Sequence, residues 1–287
     1  MTNSSPAVSP ASAPSSAPVL VLAATGKTGR RVAAQLRDRG VPVRAASRSS
    51  EVRFDWNDES TWGPALDGVR AVYVVDSQAA DAADTTRAFA EAAAARGVER
   101  LVLLSARVWP ELDPGTGELL ATERAVQEAG PEWTILRPAW FAQNFTEEDW
   151  FGPFLTDGEL RLPTGDGREP FIDLDDLAEV AAAALTEPGH AGQIYTLSGP
   201  QALTWGEVVG ILAKELGREL RYTPVTEDQF RQDLAERGLP DGHADVFLTL
   251  YRHISASGSA DLSDNGVERA LGRAPKDFSV YASTVEK

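Results

Sequence analysis

From Val19 onward, short runs of aliphatic and β-branched residues alternate with stretches whose apolar positions recur at spacings of three, four and seven. Val19-Leu20-Val21-Leu22 reads as a buried strand, and Val32, Ala33 and Leu36 then follow Gly29 on one helical face. Gly40 ends that helix, and Val41 to Ala46 predicts a second strand. Ala71 to Val75, Leu101 to Leu104 and Trp133 to Leu136 predict further strands, with an Ala-rich helix over Ala83 to Arg96. Apolar strands without in/out alternation, separated by helices, call for a parallel sheet covered on both faces. The fold class expected is α/β, a Rossmann-type doubly wound parallel sheet.

After Arg137-Pro138 the pattern loosens. Residues Ala139 to Glu169 are aromatic and Gly/Pro-rich with little periodicity, the composition of a loop-built pocket. Helices over Leu177 to Leu185 and Trp205 to Leu216 follow, with strands at Gln193 to Leu197 and around Tyr222 to Val225. From Asp241 to Ile254, a helix would place Val246, Phe247, Leu250, Tyr251 and Ile254 on one face. The organisation expected is a tail over 1–18 and a cofactor-binding Rossmann domain over 19–138, completed by later elements. A smaller C-terminal α/β lobe over 139–287, mainly substrate-binding, would cover the cofactor site.

Composition narrows the function. Residues 1–18 hold no charged side chain and are mostly Ser, Ala and Pro, too polar and small to offset their ordering entropy, so a disordered tail is expected. The first basic residue is Lys27 and the apolar run at Val19 to Ala24 is short. Neither a secretory signal nor a membrane span is read there, and a cytoplasmic location is expected. Without cysteine there is no disulfide, thiolate nucleophile or cysteine zinc site. His190, His243 and His253 lack metal-ligand spacing, so no metal is expected. A net charge of −16 with no basic cluster argues against nucleic acid as partner. A small-molecule substrate is expected; the oligomeric state is left open.

Between the first strand and helix lies Ala23-Ala24-Thr25-Gly26-Lys27-Thr28-Gly29. Gly26 and Gly29 fit the last two positions of a G-x-x-G-x-x-G turn, where small residues let backbone amides at a helix start reach a pyrophosphate. Ala23 stands at the first glycine's place, keeping the small size while forgoing positive φ. A tight turn with no ligand is the alternative. A P-loop is not, since it needs glycine at position 21, which is Val21. At the end of the second strand an NAD site would offer a carboxylate to the ribose; here stand Ser47, Arg48, Ser49 and Ser50. Arginine among hydroxyls suits a 2′-phosphate, which points to NADP(H), unless Arg48 is only a solvated loop charge.

The stretches "VLAATGKTGRRV", "RAASRS", "WTILRPAWFAQNF", "FIDLDDLAEVAAAAL" and "LSGPQALTWGEVVGILAKELG" resemble the NmrA-like, atypical short-chain dehydrogenase family over nearly the whole chain after the tail. "FDWNDESTW" and "LGRAPKDF" are similar to the branch with ergot-alkaloid-type dehydrogenases and quinone reductases. The resemblance implies that Thr25 to Gly29 hold the pyrophosphate and Arg48 the 2′-phosphate. It also implies Asp55 near adenine, with Asp76 and Ser105 beside the ribose and nicotinamide. Pro138 to Phe141 would border the nicotinamide, and Trp140, Phe141, Asn144 and Phe145 would shape the substrate pocket. Ala23 and the acidic Asp76 depart from the usual family pattern. Plainer roles compete: Asp173 reads as a helix N-cap, and Trp140, Phe141 and Phe145 could be core aromatics. His243, His253 and Tyr251 could face the pocket or be ordinary surface and core groups.

No tyrosine is followed by lysine four residues later, so the short-chain dehydrogenase YxxxK dyad is absent, with Gly115 and Leu119 at the corresponding positions. Three readings follow. The first is a reductase of a small hydrophobic metabolite (iminium, quinone or enone type, in secondary metabolism) that works by positioning over the nicotinamide. The others are a regulator that senses NADP(H) without turnover, and a non-redox cyclase or isomerase on the same fold.

Overall fold

The computed structural model describes residues 17–113, 115–147, 154–238, 241–257, 262 and 264–286. The expected tail, apart from its last two residues, lies outside the described residues, as does the side chain of His243. The first half runs β1 (Val19–Val21), α1 (Lys27–Asp38), β2 (Val43–Ser47), β3 (Val52–Arg53), α2 (Trp62–Leu66), β4 (Ala71–Val74), α3 (Ala82–Ala94), β5 (Arg100–Leu104), α4 (Trp109–Leu112), α5 (Ala121–Glu128) and β6 (Glu132–Pro138). The second runs α6 (Asn144–Glu147), α7 (Phe154–Asp157), β7 (Glu159–Leu162), β8 (Arg168–Glu169), α8 (Leu174–Thr186), β9 (Gln193–Leu197), β10 (Leu203–Thr204), α9 (Trp205–Leu216), β11 (Arg221–Pro224), α10 (Glu227–Glu236), α11 (Asp241–Ser257), α12 (Gly266–Leu271) and α13 (Phe278–Ala282).

Seven strands form one parallel sheet in the order β3-β2-β1-β4-β5-β6-β9. Side chains alternate across it with period two. Val19, Val21, Ala71 and Tyr73 enter a core with α1 and α8, while Leu20, Leu22, Val72 and Val74 enter the opposite core with α2 and α3. Both faces are buried, and hence both parities of each strand are apolar. The order turns back between β1 and β4, a switch point where a crevice opens beyond the strand ends.

A third core gathers Phe145, Phe154, Leu160, Leu162, Trp205, Leu212, Phe230 and Tyr251. Two expectations change here. The segment after residue 139 is not only loop: β7 pairs in parallel with β11, and β8 antiparallel with β10. Only Leu160 and Leu162 of β7 point inward, and four residues are too few to register as a period. On α11 the buried residues are Ala244, Leu248, Tyr251 and Ile254, whereas Val246 is 60% exposed. The apolar face is therefore rotated from the one expected, because the small Ala244 and not Val246 sits against the core.

Candidate functional site

Gly26 starts α1 with extended backbone and no side-chain cap, and the first turn of α1 carries no acidic residue. No capping side chain thus competes with an external anion at this helix start. The Gly26 N–H donates to the Ala23 carbonyl at 2.8 Å. Ala23 adopts φ 49°, so alanine takes the left-handed conformation that it was expected to forgo. A Cβ on Gly29 would lie 2.2 Å from the Ala23 oxygen, so only glycine fits where the helix crosses the strand end. Thr25 and Gly26 are exposed, and Thr28 is buried.

At the end of β2, buried Ser47 accepts from the Ser49 N–H at 3.2 Å and lies 2.6 Å from the Ser50 hydroxyl, which folds the turn carrying exposed Arg48. Asp55 has a structural task. Its carboxylate accepts from the Asn57 N–H at 3.0 Å and its carbonyl from the Trp62 indole N–H at 3.0 Å.

Beyond the ends of β4, β5 and β6 lies a cleft of about 790 Å³. Asp76, Ser105, Pro138, Trp140, Phe141 and Asn144 line it together. The lining also brings Trp109, Leu119, Thr122, Val246 and Leu250, of which only Leu119 was marked for the site from sequence, as the position of the family's lysine. The segment after β6 is held in place by backbone bonds from Ala139 to Leu197, and between residues 140–142 and Ile172. Two expected pocket residues stand elsewhere. Phe145 is packed against Phe154, Phe171, Trp205 and Phe278 in the third core. Tyr251 is fully buried, stacked 5.6 Å behind the Trp140 ring, so it supports the cleft wall without reaching the cleft.

The polar groups of the cleft are networked. The Ser105 hydroxyl donates to Glu123 at 2.6 Å, and buried Glu123 also receives Arg137 at 2.6 and 2.9 Å. Burial pushes the Asp76 carboxyl above its ordinary pKa, against the opposing hydrogen bonds of the Gln78 N–H and the Thr122 hydroxyl. Lys27 Nζ donates to Asn144 Oδ1 at 2.9 Å and lies 6.0 Å from the Phe141 ring centre. Burial lowers Lys27 to about 8, helped by the positive Arg30 and Arg31 and resisted by Glu147. Arg30 and Arg31 both bind Glu147, at 2.5 and 2.6 Å, tying α1 to α6. These pairs escaped sequence reasoning. Lys27, Ser105 and Asn144 were marked singly, without their partners.

The histidines take other parts. His253 pairs with Glu111 at 2.6 Å beside the cleft, and His190 packs against the Tyr195 hydroxyl. Leu119, at the family's lysine position, is an apolar cleft residue. Among the described residues no cluster of three metal-ligating side chains occurs, and no helix is long and apolar enough to cross a membrane.

A parallel sheet with an uncapped glycine turn at its switch point, beside an apolar cleft, defines a dinucleotide-dependent Rossmann protein. Comparison with known proteins gives the family. A family model described as NAD(P)H-binding matches residues 23–188. The uncharacterised oxidoreductase YesF of Bacillus subtilis (strain 168) is 32% identical over 93% of this chain and 94% of its own. Agroclavine dehydrogenase of Claviceps fusiformis is 31% identical over 92% of this chain and 96% of its own. The crystal structure of the NADPH-dependent quinone oxidoreductase QOR2 from Escherichia coli, complexed with NADPH, is similar with a TM-score of 0.78. It is 26% identical and covers 92% of this chain and 98% of that one. The chain belongs to the NAD(P)H-binding family, as an NmrA-like atypical short-chain dehydrogenase. It is an NADP-dependent oxidoreductase.

Proposed function

We propose that this protein is an NADPH-dependent reductase of a small hydrophobic metabolite of iminium, quinone or enone type, acting in secondary metabolism. One observation carries the reading: an aromatic-walled cleft at the sheet's C-terminal edge, with no tyrosine or lysine among its described lining residues. The cofactor's residues fit the chain. The turn from Thr25 to Gly29, including Lys27 and Thr28, has no capping side chain and suits the pyrophosphate, and the Cβ-free Gly29 leaves the close approach open. Ser47 and Arg48 would take the 2′-phosphate and Asp55 would border adenine. Asp76, Ser105 and Pro138 would flank the ribose and nicotinamide, which supplies hydride when bound. Trp140 and Phe141 would then hold a flat substrate by ring contact and exclude water around it. Ser105 is kept in place by Glu123, itself fixed by Arg137. Positioning of the two reactants, not proton donation from a dyad, supplies the rate enhancement.

The test offers the purified chain a panel of quinones, enones and cyclic iminium compounds and follows NADPH absorbance. Turnover with at least one class is expected. No oxidation above background across the panel overturns the reading.

A further inference from the structure

Asn144 is the first residue of α6 and lines the cleft, yet its carbonyl oxygen Oδ1 is turned away to accept from Lys27 at 2.9 Å. The two residues stand 117 positions apart, so the contact joins the cofactor turn to the cleft wall. An ammonium group donates and never accepts. Oδ1 therefore faces Lys27 and the NH2 group faces elsewhere. That Nδ2 makes no hydrogen bond among the described residues, and α6 is held from a second side by Arg30 and Arg31 on Glu147.

The geometry points to Asn144 as the donor that receives a carbonyl oxygen of the substrate, with Lys27 as the positioning residue that fixes its amide. The inference rests on the reductase reading above and narrows its substrate to neutral carbonyl acceptors, quinones or enones. An iminium nitrogen has no lone pair to accept such a bond. Asp76 and Glu118, which line the same cleft, disfavour an anionic ligand and leave a neutral one acceptable. During reduction the acceptor carbon gains hydride from NADPH, which becomes NADP+. The electron pair of the carbonyl system moves onto oxygen, and a proton from water then neutralises it. A donor held on the cleft wall by Lys27 would stabilise the developing charge with little reorganisation. Burial lowers the Lys27 pKa to about 8, so at about pH 7 the group that meets the amide is still mostly the ammonium, facing Glu147, Arg30 and Arg31.

Binding without cofactor separates this inference from the redox reading. Equilibrium dialysis compares duroquinone with durene, which has the same carbon skeleton and no oxygen. Wild type should prefer the quinone. N144A and K27M should each lose roughly tenfold in quinone affinity, one hydrogen bond's worth, with durene affinity changed less than about twofold. K27R, which keeps a donor toward Oδ1, should retain the preference. With NADPH present, N144A should lose roughly 100-fold in kcat with a quinone. No preference in wild type, unchanged quinone affinity in the variants, or equal losses for both ligands overturns the inference. Melting curves report folding, and the K27M/K27R pair decides the matter where N144A does not fold. A quinone preference with no NADPH oxidation would leave the inference standing and sink the reductase reading alone.

Discussion

Arg48 stands exposed at the end of β2, on a turn whose shape is set by Ser47 and not by the guanidinium itself. Its removal should therefore leave the turn intact and take away only charge-assisted hydrogen bonds, each contributing roughly 1.5–3 kcal/mol to a bound 2′-phosphate. Arg48→Ala should weaken NADPH binding roughly 10- to 100-fold and NADH binding by less than about twofold, measured by titration calorimetry. Equal losses for the two cofactors would remove the 2′-phosphate assignment. Single residues were legible in sequence where chemistry is local, as in a serine and arginine turn or a glycine that must lack Cβ. Ala23 was misread because the residue type argues against φ 49°, a conformation costing about 1 kcal/mol. The Gly26 hydrogen bond and the close crossing at Gly29 impose it. Lys27–Asn144 and Glu123–Arg137 were invisible because a pair joined by folding leaves no trace in spacing. Tyr251 and Phe145 were placed in the pocket since an aromatic residue type does not say which side of a wall it occupies.

Elements were legible in proportion to their burial. β1, β4, β5 and β6 announce themselves by apolar runs because both faces are covered, whereas β7, β8 and β10 are two to four residues long. α8 was marked by its start. Asp173 caps it by accepting from the Asp175 N–H at 2.7 Å, and Gln143 is clamped across the same end, donating to Asp173 and accepting from Leu174. Because α8 packs against α1 under the sheet, its start also sets the floor on which the cofactor helix rests. Asp173→Ala should cost about 2 kcal/mol in urea unfolding, the cap plus the stranded Gln143 amide. NADPH affinity of the folded variant should stay within about twofold. A loss beyond tenfold would show that Asp173 belongs to the binding site and not to the helix.

At the scale of the whole molecule, two electrostatic effects run in opposite directions with pH. The net charge is −16 and the isoelectric point about 4.6, so lowering the pH from 8 relieves repulsion among carboxylates. Against this, particular carboxylates are held below their ordinary pKa. Glu159 is held by the Thr223 hydroxyl, Glu207 by the Thr204 N–H of its capping box, and Glu227 by Arg252. Burial is the largest single influence on Glu147 and pushes it up, but Arg31 and Arg30 together outweigh it and hold the carboxyl down. A depressed carboxylate binds its proton more readily in the unfolded chain, so its contribution is present above the unfolded pKa and fades as pH falls through the folded one. Asp76, raised by burial, has the other sign and adds a little stability as it protonates. In low salt the melting temperature should thus rise as pH falls from 8 to about 5.5, then drop below about 4 as the capping and ion-paired carboxylates protonate. Salt should raise the melting temperature at pH 8, where repulsion is screened, and change it little near the isoelectric point. A melting temperature that is highest at pH 8 in low salt, and insensitive to salt there, would mean that the surface ion pairs already neutralise this charge locally.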